Sequence, residues 1–220
     1  MMRLVASSLL LSATTLVGCA AVSPREWPSP DHPIVIDTTD RTVRFSGIVP
    51  IAANERPMLE VLVCTPDSRE HEALVMTRVR ASHVHAALIA LGAAPGEPGG
   101  LVWDGDGFIL REPSGPRIRV RFNTKQDDRA WTDAGDWFIT DPETPIDRHW
   151  LFTGSAEHKA GYAADSDGVI VGLVSFTTEV IGLSRAITDL DHDRAFDFFP
   201  NPERVPAFGT PVVVELRWLD

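Results

Sequence analysis

Residues 59–92, LEVLVCTPDSREHEALVMTRVRASHVHAALIALG, decide how the chain folds. Met58 to Cys64 is a near-continuous apolar run broken only by Glu60, the pattern of a strand covered on both faces. Thr65-Pro66-Asp67-Ser68 ends it as a turn. His71 to Val79 reads as the next strand, with Leu74 and Met76 on one face and Val75, Thr77 and Val79 on the other. Ser82 then offers an N-cap to a helix over 83–91 that Gly92 closes. Val84, Ala87, Leu88 and Leu91 recur at i, i+3, i+4 and i+7 and make one apolar stripe.

Outward from this stretch the chain reads as strands and loops. Residues 34–37 and 42–45 form a hairpin around a polar turn, and Gly47 and Pro50 break its second strand. RIRVRF at 117–122 alternates strictly, as a half-exposed strand with a basic outer face does. Further strands fall at 150–155, 161–164, 168–176 and 212–218, and 93–107 is a long loop rich in Pro, Gly and Asp. There is no internal repeat. The pattern predicts an α+β fold: a predominantly antiparallel β-sheet with one main helix, about 83–91, packed on it as a single domain over 34–220.

The first residues carry an address. MMRLVASSLLLSATTLVGC has one early cation, Arg3, and an uncharged, largely apolar run that ends in small residues, the form of a secretory signal. Leu16-Val17-Gly18-Cys19 looks like a bacterial lipobox, which predicts cleavage after residue 18 and acyl chains on Cys19. Several acyl chains hold such an anchor in a membrane, each buried methylene adding about 0.8 kcal/mol. Ala20 follows the cysteine, the pattern of an outer-membrane lipoprotein where the host has two membranes. Residues 19–33 are rich in proline and read as a semi-extended tether. Trp27 is the one residue in it suited to docking on the domain.

Loss of residues 1–18 removes one cation, Arg3, so the formal charge moves from −11 to −12. That balance argues against nucleic acid, whose phosphates need Lys and Arg. It also leaves attachment to the membrane to the lipid alone. With Cys19 acylated, Cys64 has no partner for a disulfide, and the fold depends on its core.

The residues able to carry chemistry gather near the quoted stretch: Cys64, Glu70, His71, Glu72 and His85. If the strands before and after Thr65–Arg69 pair through that turn, Cys64 and His71 come together. A thiolate with the imidazoles of His71 and His85 would suit a divalent metal such as zinc, or copper. The same residues could make a thiol nucleophile with a histidine base and a carboxylate to orient it. A third reading is structural, with a core cysteine and histidines bonded to loop carbonyls. His83 and His85 project about 200° apart on the helix, so one ion cannot take both. His85 lies near the positive end of the helix dipole, which disfavours its charged form. Other signatures fail. His71-Glu72 lacks the second histidine of a zinc protease, G-x-S-x-G is absent, and Asp189-Leu190-Asp191-His192-Asp193 lacks the glycine and glutamate of a calcium loop. Ser155 in Thr153-Gly154-Ser155 has no base marked for it.

The runs LEVLVCTPDSREHEALV and ASHVHAALIALGAAPG resemble the YdjY-domain family of bacterial envelope proteins, and WLFTGS, YAADSDGVIVGLVSF and NPERVPAFGTPVVVEL are similar to its planctomycete-type lipoproteins. The likeness spans about 34–216, with Arg69–Glu72 and Ser82–Leu88 its most specific parts. It implies no assigned activity. A ferredoxin label attached to some relatives does not transfer, because one free cysteine cannot hold an iron–sulfur cluster. The expectation is a lipid-anchored envelope protein that binds a ligand, a metal or an envelope protein partner without catalysis. The alternative is a hydrolase-type enzyme using Cys64, His71 and His85.

Overall fold

The alternating run at 117–122 and the doubly buried run at 61–64 become parts of one closed wall. The computed structural model describes residues 26–141, 143, 146–159, 161–188 and 197–219. In chain order its strands are β1 (Ile34–Asp37), β2 (Thr42–Ile48), β3 (Val61–Cys64), β4 (Ala73–Met76), β5 (Gly100–Trp103), β6 (Phe108–Arg111), β7 (Arg117–Asn123) and β8 (Thr132–Asp133). They continue as β9 (Phe138–Asp141), β10 (Trp150–Phe152), β11 (Glu157–His158), β12 (Gly161–Tyr162), β13 (Val169–Gly172), β14 (Ile181–Leu183), β15 (Asp197–Pro200) and β16 (Pro211–Trp218). Helix α1 spans Ala81–Ala90 and helix α2 spans Ala163–Asp167. The signal segment, Cys19 and the acidic run at 189–193 lie outside the described residues.

The expected α+β sheet is corrected to a closed, mostly β barrel. Strands run in the order β2-β16-β7-β10-β14-β13-β3-β4, and β4 returns to β2. The return of β4 to β2 removes the two long edges that an open sheet of these strands would have had to cover. The interior is filled by the inward set of each strand: Val43 and Phe45 of β2, Val214 and Leu216 of β16, Ile118, Val120 and Phe122 of β7. β3 is buried at all four positions, as its apolar run required.

The closing contact is short, Ile48 against Met76, and Gly47 permits it. A Cβ on Gly47 would lie 2.6 Å from Val75 Cγ1 and 2.7 Å from the Met76 carbonyl oxygen. The glycine expected to end a strand is thus where β4 seals the barrel.

Helix α1 does not lie on a sheet face. It crosses the barrel end where β10 stops and β13 begins. His85 stands edge-on to Phe152, with ring centroids 5.1 Å apart, and a Cβ on Gly92 would lie 3.6 Å from the Trp218 ring. The apolar stripe holds, since Ala81, Val84, Ala87 and Leu88 join the core. The N-cap shifts to Arg80, which makes no side-chain cap. Asp165 of α2 serves instead, accepting the Ser82 N–H at 2.9 Å and the Arg80 guanidinium at 2.7 Å. A carboxylate at a helix start is stabilising for the reason any anion is there. Burial pushes its acid up, but the Ser82 amide and Arg80 together hold the Asp165 carboxyl below the usual range.

On the outer wall, Glu215 of β16 lies directly between Arg44 of β2 and Arg121 of β7. Arg44 Nε donates to Glu215 at 2.9 Å, and its Nη1 donates to the Glu26 carbonyl at 3.1 Å. Trp131 covers Arg121, and Trp27 stacks on Trp131 with centroids 5.7 Å apart. The end of the tether is therefore docked, and it buries the ion network.

Candidate functional site

The pairing of β3 with β4 is parallel, with Val61 opposite Ala73 and Cys64 opposite Met76. Expected as two arms of a turn, they run in the same direction. His71 precedes the start of β4, whereas Cys64 ends β3 beside the far end of β4. Cys64 packs with Val61, Ala73 and Val169, under Met76 and Phe176. His71 stands with 76 % of its side chain exposed, 3.9 Å from Glu72. Glu70 accepts the Ser68 N–H at 2.9 Å, and local backbone amides, its own first, hold its acid below the usual range. Glu72 accepts from Arg69, which also reaches Glu60. These carboxylates organise the connection between two parallel strands. Among the described residues no three of His, Cys, Asp and Glu stand together as a metal site would need.

Cys64 is fully buried, and burial pushes its thiol up to about 12. On the order of one thiol in ten thousand is then ionised at pH 8, and the thiolate is the nucleophile. In the folded protein Cys64 should resist iodoacetamide at that pH, and it should be alkylated after denaturation. Rapid labelling without unfolding would restore the thiol reading.

His85 belongs to a different group, at the barrel end under α1. Its Nδ1 lies 2.7 Å from the hydroxyl of Tyr162, the single tyrosine of the chain, and that hydroxyl donates to the Gly154 carbonyl at 3.0 Å. Because the phenol proton goes to Gly154, Nδ1 carries the imidazole proton, and Nε2 keeps a lone pair. Burial lowers the His85 pKa against the opposing pull of Gly154 and Glu157, so the ring is neutral at pH 7. The rings of His85, Phe152 and Tyr162 meet edge to face. Gly154 and Ser155 both have positive φ, +88° and +64°, and a Cβ on Gly154 would meet Pro95 at 2.5 Å. Ser155 is held there because its hydroxyl donates to Thr178 C=O at 2.5 Å and accepts the Ala164 N–H at 3.1 Å. A non-glycine residue in that region costs about 1 kcal/mol or more unless its surroundings insist on it.

The residues that converge here come from α1, the turn after β10 and β12. A family model, the YdjY domain, matches residues 34–217, from the first residue of β1 to within β16. The chain belongs to the YdjY domain family. No curated protein and no solved structure matches it.

In this YdjY domain a second polar element adjoins the His85 group. Thr153 Oγ1 donates to the carbonyls of Glu179 and Val180, and the loop that follows β13 folds over Gly172 and Gly182. Glu179 Oε2 accepts the N–H groups of Phe176 and Thr178 at 3.0 and 3.1 Å. Its Oε1 and the Thr178 hydroxyl are buried with no partner among the described residues. Sequence reading singled out His85 and Ser155 but not Tyr162, Gly154 or Glu179. The uniqueness of Tyr162 and the Gly154-Ser155 pair at a strand end were the available signals.

Proposed function

We propose that the chain is a lipid-anchored module of the bacterial cell envelope that binds a ligand without catalysis, at the barrel end formed by His85, Tyr162 and Ser155. The observation carrying the reading is the 2.7 Å contact of His85 Nδ1 with Tyr162, which presents Nε2 of a neutral imidazole as a fixed acceptor. Such a group suits a ligand with a hydrogen-bond donor beside an aromatic edge, since the half-buried Tyr162 flanks it, while Phe152 backs the imidazole from the core. The neighbours favour binding over turnover. The Ser155 hydroxyl is engaged as donor and acceptor, burial pushes the Tyr162 phenol up so that it keeps its proton, and Cys64 is sealed in the core. The lipobox at 16–19 supplies the anchor and the address.

One experiment tests both parts. The full-length protein is expressed in a bacterial host, recovered from membranes and weighed by native mass spectrometry beside His85→Phe and Cys19→Ser. The expected wild type begins at residue 19, carries acyl chains and retains a small molecule that His85→Phe lacks. Cys19→Ser should leave the membrane fraction yet keep the ligand. A wild type that, like His85→Phe, weighs only as much as its own lipidated chain would remove the binding reading, and an unacylated Cys19 would remove the anchor.

A further inference from the structure

The barrel wall is incomplete between β8 and β10. β7 pairs with β8 at Arg121 and Phe122, and with β10 at Arg117 and Ile118. Arg119 and Val120 keep β16 on one side and lie opposite no strand on the other. The parity of the ladder decides which of them faces the gap. Leu219 N–H donates to the Arg117 carbonyl on the β16 side, while Phe152 N–H donates to the Pro116 carbonyl on the β10 side. Main-chain groups alternate sides along an antiparallel strand. Those of Val120 therefore point toward the gap, as those of Pro116 point toward β10.

A recess of about 350 Å³ opens at this break, walled by Arg117, Arg119, Asp133, Asp136, Arg148 and His149. That volume is at the small end of pockets for small molecules. Its charges are already partly sorted. Asp133 is committed to Arg119 by two hydrogen bonds, at 2.9 and 2.8 Å, and Arg119 first among its neighbours holds the Asp133 carboxyl low. Arg148 is pinned by donating to the Gly135 carbonyl at 2.5 Å and by lying 5.0 Å over the Phe138 ring. Arg117 is exposed and makes no ion pair among the described residues. With Asp133 paired to Arg119, Arg117 and Arg148 stand against Asp136, so the recess keeps one guanidinium in excess on a chain whose formal charge is −11.

We infer that this recess binds a carboxylate, with Arg117 and Arg148 on its charge and the Val120 main chain beside it. Planar guanidinium groups match a carboxylate in shape as well as charge. A main-chain edge next to that charge suits either a peptide C terminus or a free organic acid. The site is separate from the barrel end at His85.

Calorimetric titration of the full mature chain with N-acetyl-Ala-Ala, its C-terminal amide, succinate and inorganic phosphate tests the assignment. The peptide acid, succinate or both should bind, and the amide should not. Binding of the peptide acid alone assigns a peptide terminus, and of succinate alone a free acid. Arg117→Gln should weaken the binding about tenfold or more, Arg148→Gln likewise, and the exposed control Arg204→Gln should not. Arg117 supports no neighbour, so its variant reads binding even if Arg148→Gln unfolds. The inference is overturned if no carboxylate binds, if the amide binds equally, if Arg117→Gln has no effect, or if phosphate binds more tightly than either acid.

Discussion

Glu215→Ala is expected to destabilise the barrel by about 3–5 kcal/mol, the usual effect of stranding a buried charge. Glu215 is fully buried and lies between two arginines on the neighbouring strands. Arg121 keeps some contact with solvent and can turn outward. Arg44 cannot, because its side chain is 1 % exposed and its next carboxylate, Asp37, is 3.9 Å away. The cost falls mainly on that guanidinium. The double variant Arg44→Met/Glu215→Leu should recover most of the loss, since a buried ion pair and its apolar replacement are often close in stability. Urea unfolding of the three proteins measures this. A single-variant loss under about 1 kcal/mol would mean that water reaches Arg44 past Trp27 and Trp131. The same series reports on the tether, because Arg44 also holds the Glu26 carbonyl.

Short-range order was legible in the sequence and long-range closure was not. The alternation at 117–122, the doubly buried run at 61–64 and the helical stripe each depend on residues a few positions apart, and each is present in the structure. Closure depends on Ile48 meeting Met76, and on Gly47 admitting Val75, contacts that no local period announces. The parallel pairing of β3 with β4 was hidden for the same reason. A turn at 65–68 signals reversal, yet the chain passes through Glu70–Glu72 and re-enters in the original direction. That step separated Cys64 from His71. Of the expected cluster only His85 joins the group at the barrel end, and its partner Tyr162 lies 77 positions along the chain. No spacing motif covers such a distance.

Glu179 should make the protein lose stability as pH rises from about 4.5 to about 7. Burial, the largest influence on it, pushes the Glu179 acid up to about 7, against the pull of the backbone amides at 176–179. An unfolded glutamate titrates near 4.3. With the folded value raised, the folded state holds a proton that the unfolded state has released, so the contribution is full below about 4.5 and gone above about 7. The window corresponds to about 3 kcal/mol. His85 acts in the opposite sense there, since its lowered pKa removes stability as pH falls. The measurable quantity is therefore the difference between wild type and Glu179→Gln, which has no proton to exchange and can still accept the Phe176 and Thr178 amides. Urea unfolding at pH 4.5, 6 and 7.5 should show that difference growing toward high pH in favour of the glutamine. A difference that stays constant with pH would mean that the carboxyl is solvated and titrates as it does in the unfolded chain. Its unpaired Oε1 would then be reached by water, and the loop over Gly172 and Gly182 would be open to the same solvent as the His85 end of the barrel.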